Sequence, residues 1–258
     1  MMRALWSAAS GMKAQQTHMD IVAHNIANVN TFGSKKVRAE FQDLVYQNLR
    51  AAGAQSGADS QYPTGLAIGL GTRTAATQRI FTQGPLQTTD NPTDIGIQGE
   101  GFFRIEMPDG KIAYTRDGSF KLDQNRRLVT TDGYPLADGI TLDANAPSDT
   151  IVIAGDGQVS CTPAGGNVTA VGQITLSRFL FAIGKNLFKE TDASGNAIDS
   201  NPGEEGAGTL TQGVVEMSNI QIVEEMVNMI VAQRAYESNS KAITTSDSML
   251  EIANSLKR

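Results

Sequence analysis

Residues 214–256 read VVEMSNIQIVEEMVNMIVAQRAYESNSKAITTSDSMLEIANSL, and their spacing decides the fold. Ile222, Met229, Tyr236, Ile243 and Leu250 recur at every seventh position, and Met226, Ile230 and Ala242 widen the stripe. Seven residues are about two helical turns, so one apolar face persists along the stretch. The spacing predicts a helix over 214–256, followed by Lys257 and Arg258 where the helix dipole favours cations. Away from the stripe stand Glu224, Glu225, Arg234, Glu237, Lys241, Asp247 and Glu251, which make a wetter face.

The other end of the chain repeats the pattern. Leu5, Met12, Met19 and Ile26 are seven apart, with Val22 beside them. A helix over 2–29 is predicted, a rod of roughly 40 Å at 1.5 Å per residue. Asn28, Asn30 and Gly33 offer left-handed positions that would stop it. Within 1–30 only Arg3, Lys13 and Asp20 carry full charges. Such a helix suits an enclosed site, because burying a full charge costs far more than burying a paired amide. Seven-residue repeats at both ends of one chain are a coiled-coil signature. A single pair of these helices buries one seam only, so other copies of the chain are the expected further partners. Identical contacts repeated without closure make a filament. Periodicity alone leaves a two-helix stalk on a β domain, dimeric or not, equally open.

Between the ends the period changes. Asp-Gly pairs at 109–110, 117–118, 132–133, 138–139 and 156–157 separate short β-forming runs at 102–107, 111–115, 119–122, 128–130, 151–153 and 174–182. Asp-Gly between such runs signals hairpins, so an antiparallel all-β domain is predicted. Stretches 51–71 and 192–208, rich in small and polar residues, read as extended connectors. The fold class is α+β. The division expected is 1–33 with 214–258 as a discontinuous helical assembly domain, 34–72 with 199–213 as extended connector, and 73–198 as the β-rich domain.

Composition excludes several functions. Among 258 residues, 21 basic and 27 acidic side chains leave a net charge of −6. Nothing basic is left over for phosphates, so no nucleic-acid partner is expected, nor polybasic attachment to a membrane surface. The near-apolar run 226–232 falls far short of the ~20 residues of a membrane span. The single cysteine, Cys161, excludes an internal disulfide framework and a multi-thiolate metal cage. Ser7, Ser10 and Lys13 interrupt any apolar leader, which reads as a cytoplasmic chain or one exported without cleavage.

The search for catalytic chemistry returns nothing. His18 and His24 lie about 120° apart around a helix and cannot share a metal. Cys161 has no basic neighbour in sequence to activate it. Gly69-Leu70-Gly71 and Gly99-Glu100-Gly101 lack the rest of a phosphate loop and read as strand-edge turns. The run Asp192, Ser194, Asn196, Asp199 falls short of a calcium loop, since Ala197 and Gly203 occupy two fixed positions. Glu224 and Glu225 face different directions and are no acid/base pair. No enzyme activity, cofactor or metal is expected.

Three stretches carry a resemblance. Near the start stand Ser10-Gly11-Met12, Ala14-Gln15-Gln16, Met19-Asp20, Asn25-Ile26-Ala27-Asn28-Val29-Asn30-Thr31 and Gly33. The middle holds Ile97-Gln98-Gly99-Glu100-Gly101-Phe102-Phe103, Pro108-Asp109-Gly110, Ala113-Tyr114-Thr115-Arg116-Asp117-Gly118-Ser119-Phe120 and Leu128-Val129-Thr130. The end holds Val227-Asn228-Met229-Ile230, Gln233-Arg234-Ala235-Tyr236-Glu237 and Asn239-Ser240-Lys241-Ala242-Ile243. Together, in order and over nearly the whole chain, they resemble the bacterial flagellar axial family of rod and hook proteins. Length and the stretch 46–71, with Gly53-Ala54-Gln55 and Gly65-Leu66-Ala67-Ile68-Gly69, resemble the distal-rod branch. Proximal-rod and hook-type subunits are the alternative, although hook proteins usually carry an extra outer domain. Two positions depart from the family pattern. Ser34 follows Gly33 where an aromatic is common. Arg126 replaces a hairpin glycine, so the Asn125-Arg126 turn is expected to be strained or of another type.

The resemblance implies a structural subunit of the flagellar basal body, not an enzyme. Copies would stack into a helical tube crossing the periplasm, which carries motor torque to the hook and passes exported subunits. It implies as partners further copies of the chain, proximal rod proteins, the hook protein, surrounding ring proteins and the flagellar type III export apparatus, which cleaves no signal peptide. The C-terminal helix would line the channel, the N-terminal helix would pack outside it, and the β domain would form the outer layer. Both helices are expected to be disordered before assembly. Self-assembly would use Leu5, Met12, Met19, Val22, Ile26, Ile222, Met226, Met229, Tyr236, Ile243 and Leu250. The family motif maps to Asn25, Asn28, Thr31, Gly33, Gln233, Arg234 and Tyr236, with Asn25 and Asn28 read first as a helix stop. Tyr46, Gln55, Gly65 and Gly69 belong to the connector that would reach a neighbouring subunit and stiffen the tube.

Overall fold

Both terminal repeats form helices in the computed structural model, α1 at Met2–Ala27 and α2 at Ile222–Ser255. The structure describes residues 2–53, 61–142, 150–162, 168–178, 181–184, 187–189, 197–204 and 206–256. Helix α1 stops two residues before the predicted end. Its exit is a backbone turn in which Thr31 N–H donates to the Asn28 carbonyl at 3.2 Å. Among described non-glycine residues only Asp90 and Arg126 have positive φ, so Asn28 and Asn30 do not provide the left-handed positions expected of them. Gly33 does, at φ +65°. Helix α2 begins eight residues later than predicted. The β-branched pair Val214-Val215 prefers a pleated strand, and Val214–Glu216 pairs with Leu86–Thr88 instead. Lys257 and Arg258 lie outside the described residues, as do Asp192, Ser194 and Asn196 of the incomplete calcium loop.

Two compact units result. One comprises Met1–Ala27, Val37–Ile80 and Gln221–Arg258, and the other Asn28–Lys36 and Phe81–Ile220. These boundaries differ from the division read off the sequence. Residues 37–80 are not a bare connector. They hold β1 (Val37–Asp43), β2 (Tyr46–Arg50), β3 (Leu66–Gly69) and β4 (Thr72–Arg79), paired antiparallel as β1–β4 and β2–β3. Residues 54–60, Gln55 among them, lie outside the described residues. Residues 199–213 likewise pair into the β unit rather than forming a connector. The polar composition of both stretches hid strands whose side chains are mostly exposed.

The β unit contains β5 (Leu86–Thr88), β6 (Ile95–Gln98), β7 (Phe102–Glu106), β8 (Ile112–Thr115), β9 (Lys121–Leu122), β10 (Leu128–Val129) and β11 (Ile151–Ile153). It continues through β12 (Gln158–Cys161), β13 (Thr169–Gln173), β14 (Leu176–Arg178), β15 (Phe181–Gly184), β16 (Leu187–Lys189), β17 (Ile198–Ser200), β18 (Thr209–Gln212) and β19 (Val214–Glu216). The six-stranded sheet runs β15-β16-β8-β7-β14-β17, and the three-stranded sheet β11-β12-β13. Two-stranded pairs are β9–β10, β6–β18 and β5–β19, and every strand pairing among the described residues is antiparallel. Asp109-Gly110 turns β7 into β8, and Asp156-Gly157 turns β11 into β12, both glycines having positive φ. A core of sixteen buried residues, from Ile95 to Leu210, fills the unit. At its centre the Phe103 and Phe120 rings meet edge to face at 5.1 Å.

Candidate assembly surface

In the helical unit α1 runs along β1 and β4 and pairs antiparallel with α2. The Asn25 amide donates to Glu225 at 3.0 Å. Fourteen residues back along α1 and fourteen forward along α2, a Cβ built on Gly11 would stand 2.9 Å from the Asn239 amide nitrogen. One antiparallel register accommodates both contacts. Glycine at position 11 therefore lets the helices approach closely, and buried Ala8, Ala14 and Ala232 do the same elsewhere. Next to Gly11, the Ser10 hydroxyl donates to the Ser7 carbonyl at 2.8 Å and accepts from Thr72 N–H at 3.2 Å, holding the start of β4 on α1.

A seam of small residues buries little. The predicted assembly stripe on α1 is partly covered: Val22 is buried, and Leu5, Met12, Met19 and Ile26 are half-buried. On α2, Met229, Ile243 and Leu250 are half-buried, while Ile222, Met226 and Tyr236 are exposed. Ile230, which widens the stripe, is exposed too, and beside it a second apolar band not singled out in the sequence presents Val223, 75% exposed, with Val227 and Val231. Trp6 is 72% exposed at the other end of the pair. The signal for this band was present in the sequence, since Val223, Val227 and Val231 are spaced by four, beside the stripe.

The motif residues take structural posts. Asn25 is buried. It donates to the Val37 carbonyl at 2.9 Å and accepts from Val37 N–H at 3.0 Å, serving as the pairing partner at the start of β1. It is thus not the helix stop. Glu225, placed on the wetter face by spacing, is instead 1% exposed, held by Asn25 and by Asn228 at 3.3 Å. The buried acid stays compatible with the helix start because it sits in the first turn, where the dipole favours negative charge. Gln233 and Arg234 are exposed, Arg234 reaching Glu237 at 3.1 Å. Thr31 donates to the Asn28 side-chain oxygen at 3.4 Å. Tyr46 is exposed and Gly69 half-buried on paired strands, and Gly65 precedes β3.

The β unit contains a charged hub that the sequence reading missed. Glu216 is 1% exposed. Its carboxylate accepts from Lys35 Nζ at 2.6 Å, from Arg116 Nε at 2.6 Å and from Gly84 N–H at 2.8 Å. Lys35 also donates to the Thr82 carbonyl at 2.9 Å, and Arg116 to the Gly99 and Gly101 carbonyls. Burial pushes the Glu216 carboxyl up, but Arg116 and Lys35 together outweigh it and hold its pKa below the usual value. Burial lowers the Lys35 pKa, against the pull of Glu216. The Gly33 N–H donates to the Glu216 carbonyl at 2.8 Å, and a Cβ at Gly33 would stand 2.7 Å from the Arg116 backbone. Position 33 needs glycine for both its φ and that contact. The hub joins the segment directly after α1 to the strand directly before α2. The signal lay in Glu216, a charge ending the β-branched run Val214-Val215, and in Arg116 within the Tyr-Thr-Arg-Asp-Gly motif.

An open cavity of about 610 Å³ beside the hub is lined by Lys35, Phe81, Gln83, Phe102, Arg116 and Arg178, among others. Its Lys35 and Arg116 cations are spent on Glu216 and on backbone carbonyls. Among the described residues no three His, Cys, Asp or Glu side chains are placed to hold a metal. No described helix is long and apolar enough to cross a membrane. Cys161 is buried in the core.

Residues 5–35 match the flagella basal body rod protein family, 96–161 the flagellar hook protein FlgE/F/G D1 domain, and 211–256 the flagellar basal body rod FlgEFG protein C-terminal family. Over the whole of both chains the sequence is 55% identical to the flagellar basal-body rod protein FlgG of Borreliella burgdorferi. It is 49% identical to that of Buchnera aphidicola from Schizaphis graminum, over 97% of this chain and 98% of the relative. Against the flagellar hook protein FlgE of Helicobacter mustelae, identity is 43% over 52% of this chain and 30% of the hook protein. The chain belongs to the flagellar basal-body rod protein family and is a structural subunit of the flagellum.

Proposed function

We propose that this chain is the distal-rod subunit, whose copies stack into a helical tube that crosses the periplasm. The tube carries motor torque to the hook and offers a channel to exported subunits. Its partners are further copies of itself, the proximal rod proteins below, the hook protein above, the surrounding ring proteins and the flagellar type III export apparatus. The observation that carries the reading is the apolar surface the helical pair leaves in water, from Val223 to Val231 on α2 and at Trp6 on α1. Exposed apolar area of that extent marks an interaction site. Full-length similarity to rod proteins, against half-length similarity to a hook protein, supports rod over hook. The interface comprises Leu5, Met12, Met19 and Ile26 of the α1 stripe, whose Val22 is already buried within the single chain, and the α2 stripe Ile222, Met226, Met229, Tyr236, Ile243 and Leu250. The strands around Tyr46, Gly65 and Gly69 add a second contact between copies. Electron microscopy of concentrated full-length protein tests the reading: tubes are expected, and monomers or small closed oligomers at every concentration overturn it.

A further inference from the structure

Exposed apolar residues on the helical pair are not spread evenly; they gather at its two ends. The root of α2 presents Val223, Met226, Val227, Ile230 and Val231. The far end of α2 presents Met249 and Ile252, and the antiparallel register places Met2 and Trp6 of α1 at that same end. Between them, over 232–248 of α2, Tyr236 is the one large apolar side chain exposed, and Gln233, Arg234, Glu237, Lys241 and Asp247 face water. Val227 and Ile252 are 25 residues apart on one helix, about 38 Å at 1.5 Å per residue.

We propose that the tip of one copy, Met2, Trp6, Met249 and Ile252, seats on the root of the next copy, Val223 to Val231. Neighbours in such a row are offset by about 38 Å along the helices. This rests on the homopolymer reading above and adds the contact register to it. Two arguments select the second copy's tip as occupant rather than its root. A root-on-root contact is two-fold and closes into a dimer, whereas unlike patches at opposite ends propagate without limit, as a rod requires. Charge agrees: the root carries exposed Glu224, so root-on-root brings two carboxylates together, while the tip offers exposed Arg3 as well as Glu251. Along the row the polar middle takes no part, which keeps the apolar ends from pairing in other registers and leaves Tyr236 and Ile243 to contacts with copies beside the row.

The test uses the full chain carrying Trp6→Cys and Val227→Cys. Both positions are exposed, so neither change disturbs the fold of the single chain, and the native Cys161 is buried. Within one chain the two thiols lie too far apart for a short-armed bismaleimide. Assembled protein treated with that reagent should give a ladder of dimers, trimers and higher species on a denaturing gel. Pairing Trp6→Cys with Glu237→Cys, in the polar middle, should give none. Tubes without a ladder overturn the tip-on-root register while leaving the homopolymer standing. Dimers from Val227→Cys alone overturn it in favour of root-on-root contact. If the parent chain, carrying neither cysteine, forms no tubes, the homopolymer reading fails and takes this inference with it.

Discussion

The two units of this chain finish folding to different degrees. The β unit buries sixteen residues in one core, with two phenylalanines, seven isoleucines or valines and the lone cysteine among them. The helical unit buries only Ala8, Ala14, Val22 and Ala232 among its described apolar side chains. Of twenty-six large apolar side chains exposed among the described residues, twenty belong to the helical unit. Burial stabilises in proportion to apolar area, at roughly 25 cal/mol per Å², so the first unit gains far more from it within one chain than the second. Local sequence thus encodes two products at once: a domain complete in one chain, and a surface completed by other chains. The polar lock Asn25–Glu225–Val37 and the small-residue seam define the shape of the helical pair without supplying much of its stability.

The largest expected effect removes one side of this contrast altogether. Deleting residues 1–27 takes away α1 but spares Gly33 and Lys35, which the β unit needs. The truncated protein should remain a soluble β-rich monomer with a cooperative unfolding transition, and it should form no tubes at any concentration. Circular dichroism and electron microscopy read the two halves of the outcome. Tubes from the truncated chain would show that α1 is not the assembly element. Loss of the transition would show that the β unit is not self-sufficient.

Two single substitutions sharpen the same contrast. Phe103→Ala empties the centre of the β core and should lower unfolding free energy by about 3–5 kcal/mol, while helix-driven association of the folded fraction persists. Val223→Ser, at a position exposed in the single chain, should change unfolding by no more than about 0.5 kcal/mol yet raise the concentration at which tubes appear. Denaturant titration and sedimentation of polymer separate the two quantities. An equal effect of both changes on both readouts would erase the distinction between the units.

The charged hub extends the comparison to pH. Glu216 has a folded-state pKa below its unfolded value, so its contribution is present in full above the unfolded value and is lost as pH falls through the depressed folded value. Lys35 has a lowered pKa, so the unfolded chain binds its proton more tightly and stability gained from this group rises with pH in the alkaline range. Glu216→Gln leaves two buried cations without a counter-charge and should cost about 3–5 kcal/mol at neutral pH, because the amide keeps one acceptor oxygen for Lys35 and Gly84 but turns an NH2 donor toward Arg116 Nε. The variant should also show a shallower loss of stability in acid. Unfolding curves between pH 3 and pH 8 (roughly the carboxylate range and above) test both. A variant with the parent's acid limb would remove Glu216 from the account.

Much of this was legible in the sequence. Seven-residue spacing located both helices, and Asp-Gly at 109–110 and 156–157 located hairpins, because period and turn chemistry are local properties. What spacing could not show was long-range partnership. Glu225 lies in a helix beside Glu224, and nothing nearby says that Asn25, two hundred residues away, will bury one and leave the other exposed. Lys35, Arg116 and Glu216 meet for the same reason only in three dimensions. Strands β2 and β3 escaped notice because paired strands exposed on both faces need no apolar alternation. Helical spacing made the apolar stripe legible, whereas the exposure of the band at Val223, Val227 and Val231 emerged only when burial showed which face of α2 its partner helix leaves uncovered.

The smallest expected effect lies at Arg126, and it belongs wholly to the self-sufficient unit. Between β9 and β10, Arg126 N–H donates to the Asp123 carbonyl at 2.8 Å, and Asp123 N–H to the Arg127 carbonyl at 3.0 Å. The turn closes with Arg126 at φ +58°, a left-handed position that hairpins of this length usually give to glycine. The strained form of the two expected alternatives is therefore the one adopted. A left-handed L-residue costs roughly 1–2 kcal/mol, whereas glycine there is free of that strain but loses more backbone entropy on folding, about 0.5–1 kcal/mol. Arg126→Gly should thus stabilise the β unit by no more than about 1 kcal/mol, with the contacts of the arginine side chain subtracting from the gain. Tube formation should be unchanged, because no exposed apolar residue of either helix is touched. A shift in assembly without a shift in unfolding would mean that this turn, far from the helices in sequence, takes part in contacts between copies, and the division of labour between the two units would then be less strict than their burial suggests.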